Sequence, residues 1–404
     1  MLPVHLSLTA DFFVSKIQGT VFSGFFSLSY APNMNTHPLP TKPHYLVLDG
    51  LRGVAALIVV IFHVLEAHST SHLDLMINHG YLAVDFFFLL SGYVIGYAYD
   101  DRWQKMSIGT FFKRRLERLQ PMVIMGMIIG ALFFYASDSP SFPAIHTVPA
   151  WKLLLIMFIG FTLIPIPISW DIRGWQEMHP LDGPAWSLFF EYVGNILYAL
   201  GIRKFSKTAL SILVSLSAIA LIYLTVFGPT GDVIGGWSVT PEQLSIGFTR
   251  LMFPFFAGLL LSRATKPTRI NNAFLWCGII LAITLAIPRI GGADHLWMNG
   301  IYESFIIILV FPLIVYLGAS GQIHSNRESK ICKFLADLSY PLYITHYPFI
   351  YVYTGWVSAH KDTNMPLAVG YGILTFVVSV LVGYLSLKYY DEPVRAWLKR
   401  KVKA

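Results

Sequence analysis

The sequence has few charged residues and almost no cysteine. Asp, Glu, Lys and Arg together make up 13% of its 404 residues, whereas about 25% is usual in a soluble domain. Two cysteines cannot form a disulfide framework. The sequence also lacks a Cys/His cluster with zinc spacing, a Gly-x-Gly-x-x-Gly loop and a Walker loop. These absences argue against a soluble domain and against an ATP-driven pump.

What the sequence does contain is a series of long apolar runs, and 55% of its residues are hydrophobic. Eleven runs lie at roughly 48–66, 82–99, 119–135, 151–168, 185–201, 208–227, 250–262, 273–288, 300–318, 338–357 and 366–388. This pattern predicts an all-α polytopic membrane protein in contact with membrane lipid. The net charge of +7 is then expected to reflect basic cytoplasmic loops, and no nucleic-acid partner is expected.

The distribution of Lys and Arg predicts the topology. Basic residues cluster at 100–118 and in the C-terminal segment, which places both on the cytoplasmic side. The loops with no Arg and a single Lys are 64–81, 136–150, 228–248 and 358–365. Eleven spans cannot satisfy this pattern, so one run must enter and leave the membrane on the same side. The run 151–168, which ends in two prolines, is the best candidate. About ten spans, one re-entrant or interfacial segment and two cytoplasmic termini are therefore predicted.

The first 44 residues differ from the rest of the chain. They are only mildly apolar, are interrupted by Asp11 and Lys16, and lack the basic region of a signal peptide. We expect a loosely ordered extension over 1–44, with Met34 as an alternative start of translation. A membrane domain over 45–395 and a basic cytoplasmic tail over 396–404 are expected to follow.

The first apolar run carries ionisable groups on one face. Arg52 and His63 are eleven residues apart, which is within roughly 20° of three full helical turns and about 16 Å along the axis. Asp49 and Glu66 share roughly that face. Ionisable residues at membrane depth usually mark a functional site. The alternatives are that Arg52 only reaches the headgroup region and that His63 is a hydrogen-bonded packing residue.

Two further motifs follow. Ser91 and Gly92 are small residues in a bulky helix, and they permit close approach of another backbone or of an extended ligand. Arg115 and Arg118 lie one turn apart at the start of the third run, where guanidinium groups would bind a phosphate-bearing ligand. Topology-setting positive charge explains the same arginines equally well.

The central and late parts of the chain add more polar groups inside apolar runs. Ser187 and Glu191 are four residues apart behind Trp186, near the predicted external end of their helix. Tyr340, Tyr343 and His346 follow at a spacing of three, so Tyr343 and His346 are candidate pocket residues. In the second run, Asp85 would pair with His63 or with another polar group.

Four stretches of the sequence, taken in order, resemble the acyltransferase-3 family of polytopic membrane O-acyltransferases that act on carbohydrates. They are LDGLRGVAALIVVIFH, DFFFLLSGYVI, FFKRRLERLQP with WSLFFE behind it, and LSYPLYITHYPF. The resemblance covers about residues 45–395. It implies ten helices, an acyl-CoA donor bound from the cytosol, no permanently bound cofactor, and transfer of an acyl group to a carbohydrate or similar hydroxyl. A bacterial inner (plasma) membrane protein made of the membrane domain alone is expected.

The resemblance also implies roles for individual residues. Arg52 and His63 match an Arg and a His that the family requires for activity. Arg115 and Arg118 match the arginine pair associated with the donor, and Ser91 and Gly92 match its Ser-Gly pair.

Histidine is the side chain best suited to general-base chemistry near neutral pH. His63 would deprotonate the acceptor hydroxyl directly or carry the acyl group as an acyl-imidazole. Glu191 or Glu66 would orient the imidazole or the acceptor, and Arg52 would offset negative charge. Trp186 is expected to bind substrate, as are Tyr343 and His346. The rival hypothesis is a secondary transporter or flippase for a glycan or small anionic solute.

Overall fold

The computed structural model describes Lys42, residues 44–75 and residues 77–403. Within these ranges every regular element is a helix, as the sequence predicts, and only two isolated β-bridges occur. The predicted N-terminal extension, including Met34, lies almost wholly outside the described residues.

Fourteen α-helices make up the described part of the chain. In order they are α1 (Leu46–Glu66), α2 (Ala83–Tyr99), α3 (Ile108–Leu132), α4 (Ala150–Gly160), α5 (Ala185–Leu200), α6 (Lys207–Phe227), α7 (Pro241–Ala264), α8 (Ala273–Ala286), α9 (Leu296–Phe305), α10 (Phe311–Ala319), α11 (Asn326–Thr345), α12 (Tyr347–Ala359), α13 (Met365–Ser386) and α14 (Glu392–Lys403). Two π-helical turns, Ile306–Val310 and Leu387–Asp391, join α9 to α10 and α13 to α14.

Several helices begin at a polar residue that satisfies the free backbone amides of the first turn. In these the side chain accepts a hydrogen bond from the amide three residues ahead, which stabilises the helix start. The capping residues are Ser107, Ser206, Thr240, Ser325 and Asn364.

Six helical segments in the described residues are long and apolar enough to cross a membrane. They are Leu46–Glu66, His79–Tyr99, Lys207–Phe227, Pro241–Ala264, Leu296–Ala319 and Met365–Arg400. Their mean hydropathy runs from 1.5 to 2.4, and lengths of 21 residues or more suffice for a hydrocarbon core of about 30 Å. The chain is therefore a multi-pass membrane protein.

The segment predicted to be re-entrant is short. Helix α4 has 11 residues, about 16 Å, which is roughly half the thickness of a hydrocarbon core. The helix ends at Gly160, and Pro165 and Pro167 follow in a loop that returns towards α5. This length fits a segment that enters and leaves on one side.

The helix bundle is held together by close contacts between backbones. A Cβ atom added at Gly92 in α2 would lie 1.8 Å from the carbonyl oxygen of Phe255 in α7. Only glycine allows two helices to approach this closely. Helix α1 lies within the bundle and packs on α11, so its polar face points to the interior of the protein.

Candidate active site

Two cavities lie on the polar face of α1, one at each end of the stripe predicted from the sequence. The cavity that contains Arg52 is called the inner cavity, after the predicted topology, and the cavity that contains His63 is called the outer cavity. The inner cavity is narrow, about 100 Å³. The polar and charged groups that line it are Asp49, Arg52, Ser91, Arg115, Arg118, Ser187, Glu191, Ser339, Tyr340 and Tyr343. Three guanidinium groups face two carboxylates there, which leaves one positive charge in excess.

The arginines of the inner cavity have different partners. Arg52 donates through Nε to Ser339 Oγ at 2.9 Å, and its Nη1 lies 3.5 Å from Asp49 Oδ1. Arg52 is thus held against the cavity wall by α11, which disfavours the hypothesis that it only reaches the headgroup region. Arg118 is exposed to the cavity and forms no ion pair or hydrogen bond with the described residues. Its charge is available to an anionic ligand.

Glu191 belongs to the inner cavity rather than to the histidine. It pairs with Arg115 and accepts a hydrogen bond from Ser91 Oγ at 2.8 Å. Of the two carboxylates predicted to orient the imidazole or the acceptor, Glu191 is therefore held by Arg115 and Ser91. The structure brings Ser91, Arg115 and Arg118, which the sequence offers as two separate motifs, together in this cavity.

The outer cavity is larger, about 560 Å³, which is within the usual range for small-molecule sites. About half of its lining residues are aromatic or ionisable. These include His63, Glu66, Tyr81, Trp175, Glu177, Trp186, Trp237, Arg250, Tyr343 and Tyr347. The predicted substrate residue Trp186 is among them.

The contact between His63 and Glu66 fixes which ring nitrogen of His63 is free to accept a proton. Its Nδ1 lies 2.6 Å from Glu66 Oε2, and a carboxylate can only accept a hydrogen bond, so Nδ1 carries the proton in the neutral ring. The lone pair is then on Nε2, with the ring 17% exposed to the cavity. Of the two carboxylates considered for orienting this imidazole, Glu66 makes the contact.

His346 lies behind His63 and outside both cavities. The two rings stack with centroids 5.6 Å apart at an angle of 28°. His346 is fully buried, and its Nδ1 donates to the backbone carbonyl of Tyr343 at 2.9 Å. The structure thus packs His346 against the imidazole of His63, outside the lining of both cavities, and its role in binding substrate stays a prediction.

Val84 and Tyr343 line both cavities and form the partition between them. The Tyr343 hydroxyl lies 2.8 Å from Ser187 Oγ, and both side chains are buried. A group passing from one cavity to the other must pass this pair of hydroxyls.

For two other residues the structure favours one of the alternatives that the sequence left open. Gly92 lies outside both cavities, and its lack of a side chain serves the contact between α2 and α7, so the backbone-packing alternative holds over a ligand role. Asp85 pairs with Arg250 at 2.7 Å in a fully buried ion pair, which leaves His63 to Glu66.

Comparison with known proteins matches the model of the acyltransferase domain over residues 45–384, most of the chain. The chain belongs to the acyltransferase-3 family. A protein named "Protein 2 in picA locus" from Rhizobium radiobacter is 32% identical over 185 residues, which are 44% of this chain and 92% of that protein.

Other similar proteins carry descriptive names. "O-acetyltransferase OatA" of Staphylococcus aureus is 24% identical over 88% of this chain and 58% of its own length. "Peptidoglycan O-acetyltransferase OatA" of Listeria monocytogenes is 22% identical over 86% of this chain and 55% of its own length. The chain thus spans a little more than half the length of each OatA protein. No solved structure matches the chain.

In this acyltransferase-3 chain, the outer-cavity residues that come from loops are not predicted by the sequence pattern. Glu177 and Trp175 lie between α4 and α5, in a segment without helical periodicity. Tyr347 directly follows the candidate residue His346, and its ring packs edge-on against His63 with centroids 4.8 Å apart. An isolated Trp-x-Glu in a loop was the only available signal, and nothing in it points to a distant histidine.

Proposed function

We propose that this protein is a membrane-embedded O-acyltransferase that moves an acyl group, acetyl in the simplest case, to a hydroxyl of a carbohydrate-type acceptor. The observation that carries the proposal is the pair of cavities that meet at Val84 and Tyr343. One presents guanidinium groups and the other an imidazole oriented by a carboxylate. The names of the OatA relatives support O-acetylation and a glycan acceptor.

The proposed donor is cytosolic acyl-CoA, used as a substrate, with no permanently bound cofactor. Arg52, Arg115 and Arg118 supply donors that suit phosphate groups, and only two carboxylates oppose them. The narrow inner cavity suits a linear thioester arm better than a nucleotide. The nucleotide would therefore stay at the mouth, near Arg118.

The proposed chemistry is a direct transfer. The acceptor hydroxyl gives its proton to Nε2 of His63 while its oxygen attacks the acyl carbonyl carbon. The carbon–sulfur bond breaks, and the leaving thiolate takes the proton, which restores neutral His63. Glu66 holds the ring in the required tautomer and stabilises the imidazolium formed on the way. At the partition, Ser187 Oγ donates to the carbonyl of Pro184 and lies 2.8 Å from the Tyr343 hydroxyl. In the proposed step the Tyr343 hydroxyl turns from Ser187 and donates to the developing oxyanion.

The proposed membrane topology is consistent with the positions of the two cavities. We place both termini and the mouth of the inner cavity in the cytosol of a bacterial inner membrane, with ten spans and α4 as the re-entrant segment. The basic segment 100–118 leads into the Arg115 end of α3, which supports a cytosolic inner cavity. The outer cavity then opens to the opposite side.

The test uses the full chain in lipid nanodiscs with radiolabelled acetyl-CoA and a panel of methyl glycosides of hexoses and N-acetylhexosamines. His63→Gln keeps the shape of the ring's neighbourhood but removes the base, so transfer should fall by about 10²-fold or more. The control His295→Gln changes an exposed histidine and should keep wild-type turnover.

Three results would contradict the proposal: near-normal transfer by His63→Gln, failure of the wild type to acylate any glycoside, or, with the chain in sealed proteoliposomes, transport of a glycoside without acylation. Label retained on His63 in the absence of an acceptor would replace direct transfer with a covalent two-step route.

A further inference from the structure

A second carboxylate faces the outer cavity, and the proposed reaction does not use it. Glu177 lines this cavity together with His63, although it is only 5% exposed. Tyr351 donates a hydrogen bond to Glu177 Oε2 at 2.5 Å. Oε1 accepts no hydrogen bond from the described residues. One oxygen is therefore fixed, and the other is available to a ligand.

The space around the free oxygen is kept open by a glycine. A Cβ atom added at Gly183 would lie 2.8 Å from Glu177 Oε1. Gly183 also lines the outer cavity. Any larger residue there would push the carboxylate away from its present position.

The backbone that carries Glu177 is strained and then held by hydrogen bonds. Gln176 has a φ of +55°, in the left-handed region that non-glycine residues rarely adopt. Asp171 stabilises this turn because its carboxylate accepts from the amides of Arg173, Gly174 and Gln176 at 2.8–3.0 Å. Such strain persists where the surroundings over-determine the backbone, and it concentrates at functional sites.

Tyr351, which donates the hydrogen bond to Glu177, is itself held in position by Arg173. The guanidinium carbon of Arg173 lies 3.5 Å from the centre of the Tyr351 ring. Arg173 is buried and donates to the carbonyl of Pro180 at 3.0 Å and to Ser137 Oγ at 2.8 Å. Tyr351 is thus held in the position from which it binds Glu177.

The same loop brings an aromatic face to the cavity. Trp175 lines it two residues before Glu177 and packs on Phe142 with ring centroids 4.6 Å apart. A flat indole next to a hydrogen-bond acceptor suits a sugar ring, which has an apolar C–H face and hydroxyls at its rim.

We infer that Glu177 is an acceptor-binding residue whose Oε1 accepts a hydrogen bond from a hydroxyl next to the one that His63 deprotonates, with the sugar ring against Trp175. The inference rests on the proposed function and adds a selectivity to it. The site favours acceptors with two neighbouring hydroxyls over simple alcohols.

The test measures steady-state acyl transfer by the full chain in nanodiscs, with acetyl-CoA and the methyl glycoside that the wild type acylates fastest. Glu177→Gln keeps an oxygen that can accept from Tyr351 but places an amide, not a carboxylate, in the cavity. We expect the KM for the glycoside to rise about 10-fold or more. The kcat should change less than about threefold, with the KM for acetyl-CoA unchanged and the melting temperature not lowered.

A deoxy acceptor identifies the contact itself. Removing the neighbouring hydroxyl from the glycoside should weaken wild-type binding about as much as Glu177→Gln does. Combining the two changes should add little, because both remove the same hydrogen bond. Asp294→Asn, at an exposed carboxylate, is the matched control and should respond to the deoxy acceptor as the wild type does.

Other outcomes overturn the inference. If Glu177→Gln lowers the melting temperature and kcat without raising the KM for the glycoside, Glu177 only holds the loop. If the deoxy effect and the substitution are additive, Glu177 does not contact that hydroxyl. If the wild type acylates none of the glycosides, the proposed function itself fails. This result differs from a failure of the Glu177 inference alone, in which the wild type still acylates a glycoside.

Discussion

The surroundings of Glu177 act on the pKa of its carboxyl group in opposite directions. Burial raises its pKa from 4.5 to about 7, and the charges of Asp171 and Glu66 act in the same direction. The Arg173 guanidinium and the Tyr351 hydrogen bond lower the pKa but do not offset burial. Asp182, Tyr347 and Tyr351 complete the ionisable surroundings. Glu177 therefore changes charge close to physiological pH.

This shift makes stability depend on pH. Between about 4.5 and 7 the folded protein keeps a proton that the unfolded chain releases, so the free energy of unfolding falls as pH rises through this window. The loss is on the order of 3 kcal/mol and is complete above pH 7. We expect the melting temperature of the wild type, followed by tryptophan fluorescence, to fall between pH 5 and pH 8. Glu177→Gln should fall less, and equal slopes for the two proteins would contradict this explanation.

Residue spacing could predict which side chains share a helix face but not which groups meet across helices. The eleven-residue spacing of Arg52 and His63 correctly placed both on the polar face of α1. Glu191 was correctly recognised as an unusual carboxylate, yet its partner Arg115 comes from α3. Pairing between helices depends on packing, which a single sequence does not encode locally.

At the scale of elements, the contact between α2 and α7 sets the position of Ser91 and hence of the inner cavity. Gly92→Ala would place a methyl group 1.8 Å from the carbonyl oxygen of Phe255, so the two helices must separate. We expect a loss of about 1–3 kcal/mol, seen as a lower melting temperature. Gly370→Ala in α13 is the control, because a Cβ there meets nothing within 4 Å. A stable Gly92→Ala protein would show that the contact is not needed.

Helices were easier to predict than loops for a physical reason. Apolar length identified most of the spanning helices, because burial in lipid requires a continuous hydrophobic run. The single run 338–357 is divided in the structure at His346, between α11 and α12. The position of Glu177 in the loop between α4 and α5 depends on the left-handed backbone of Gln176 and on backbone amides that donate to the Asp171 carboxylate. No periodic sequence pattern reveals either feature.

For the whole molecule, the proposed topology places the loop after α4 outside the cytosol. Ser169 and Lys204 are both exposed, and both natural cysteines are buried. We expect Ser169→Cys to react with a membrane-impermeant maleimide in intact cells. Lys204→Cys should react only after the membrane is permeabilised. Labelling of both residues in intact cells, or of neither, would contradict ten spans with a re-entrant α4.

The partition of Val84 and Tyr343 has an energetic consequence for the proposed reaction. The coenzyme and the acceptor never leave their own sides, so only the acyl group moves outward past this barrier, while the hydroxyl proton moves inward to the thiol. The transferred acyl group counts formally as one positive charge, and the proton that moves the other way carries the same charge. The net charge moved across the membrane in one turnover is therefore zero. Turnover should therefore run at the same rate in energised and de-energised cells, driven by the thioester alone.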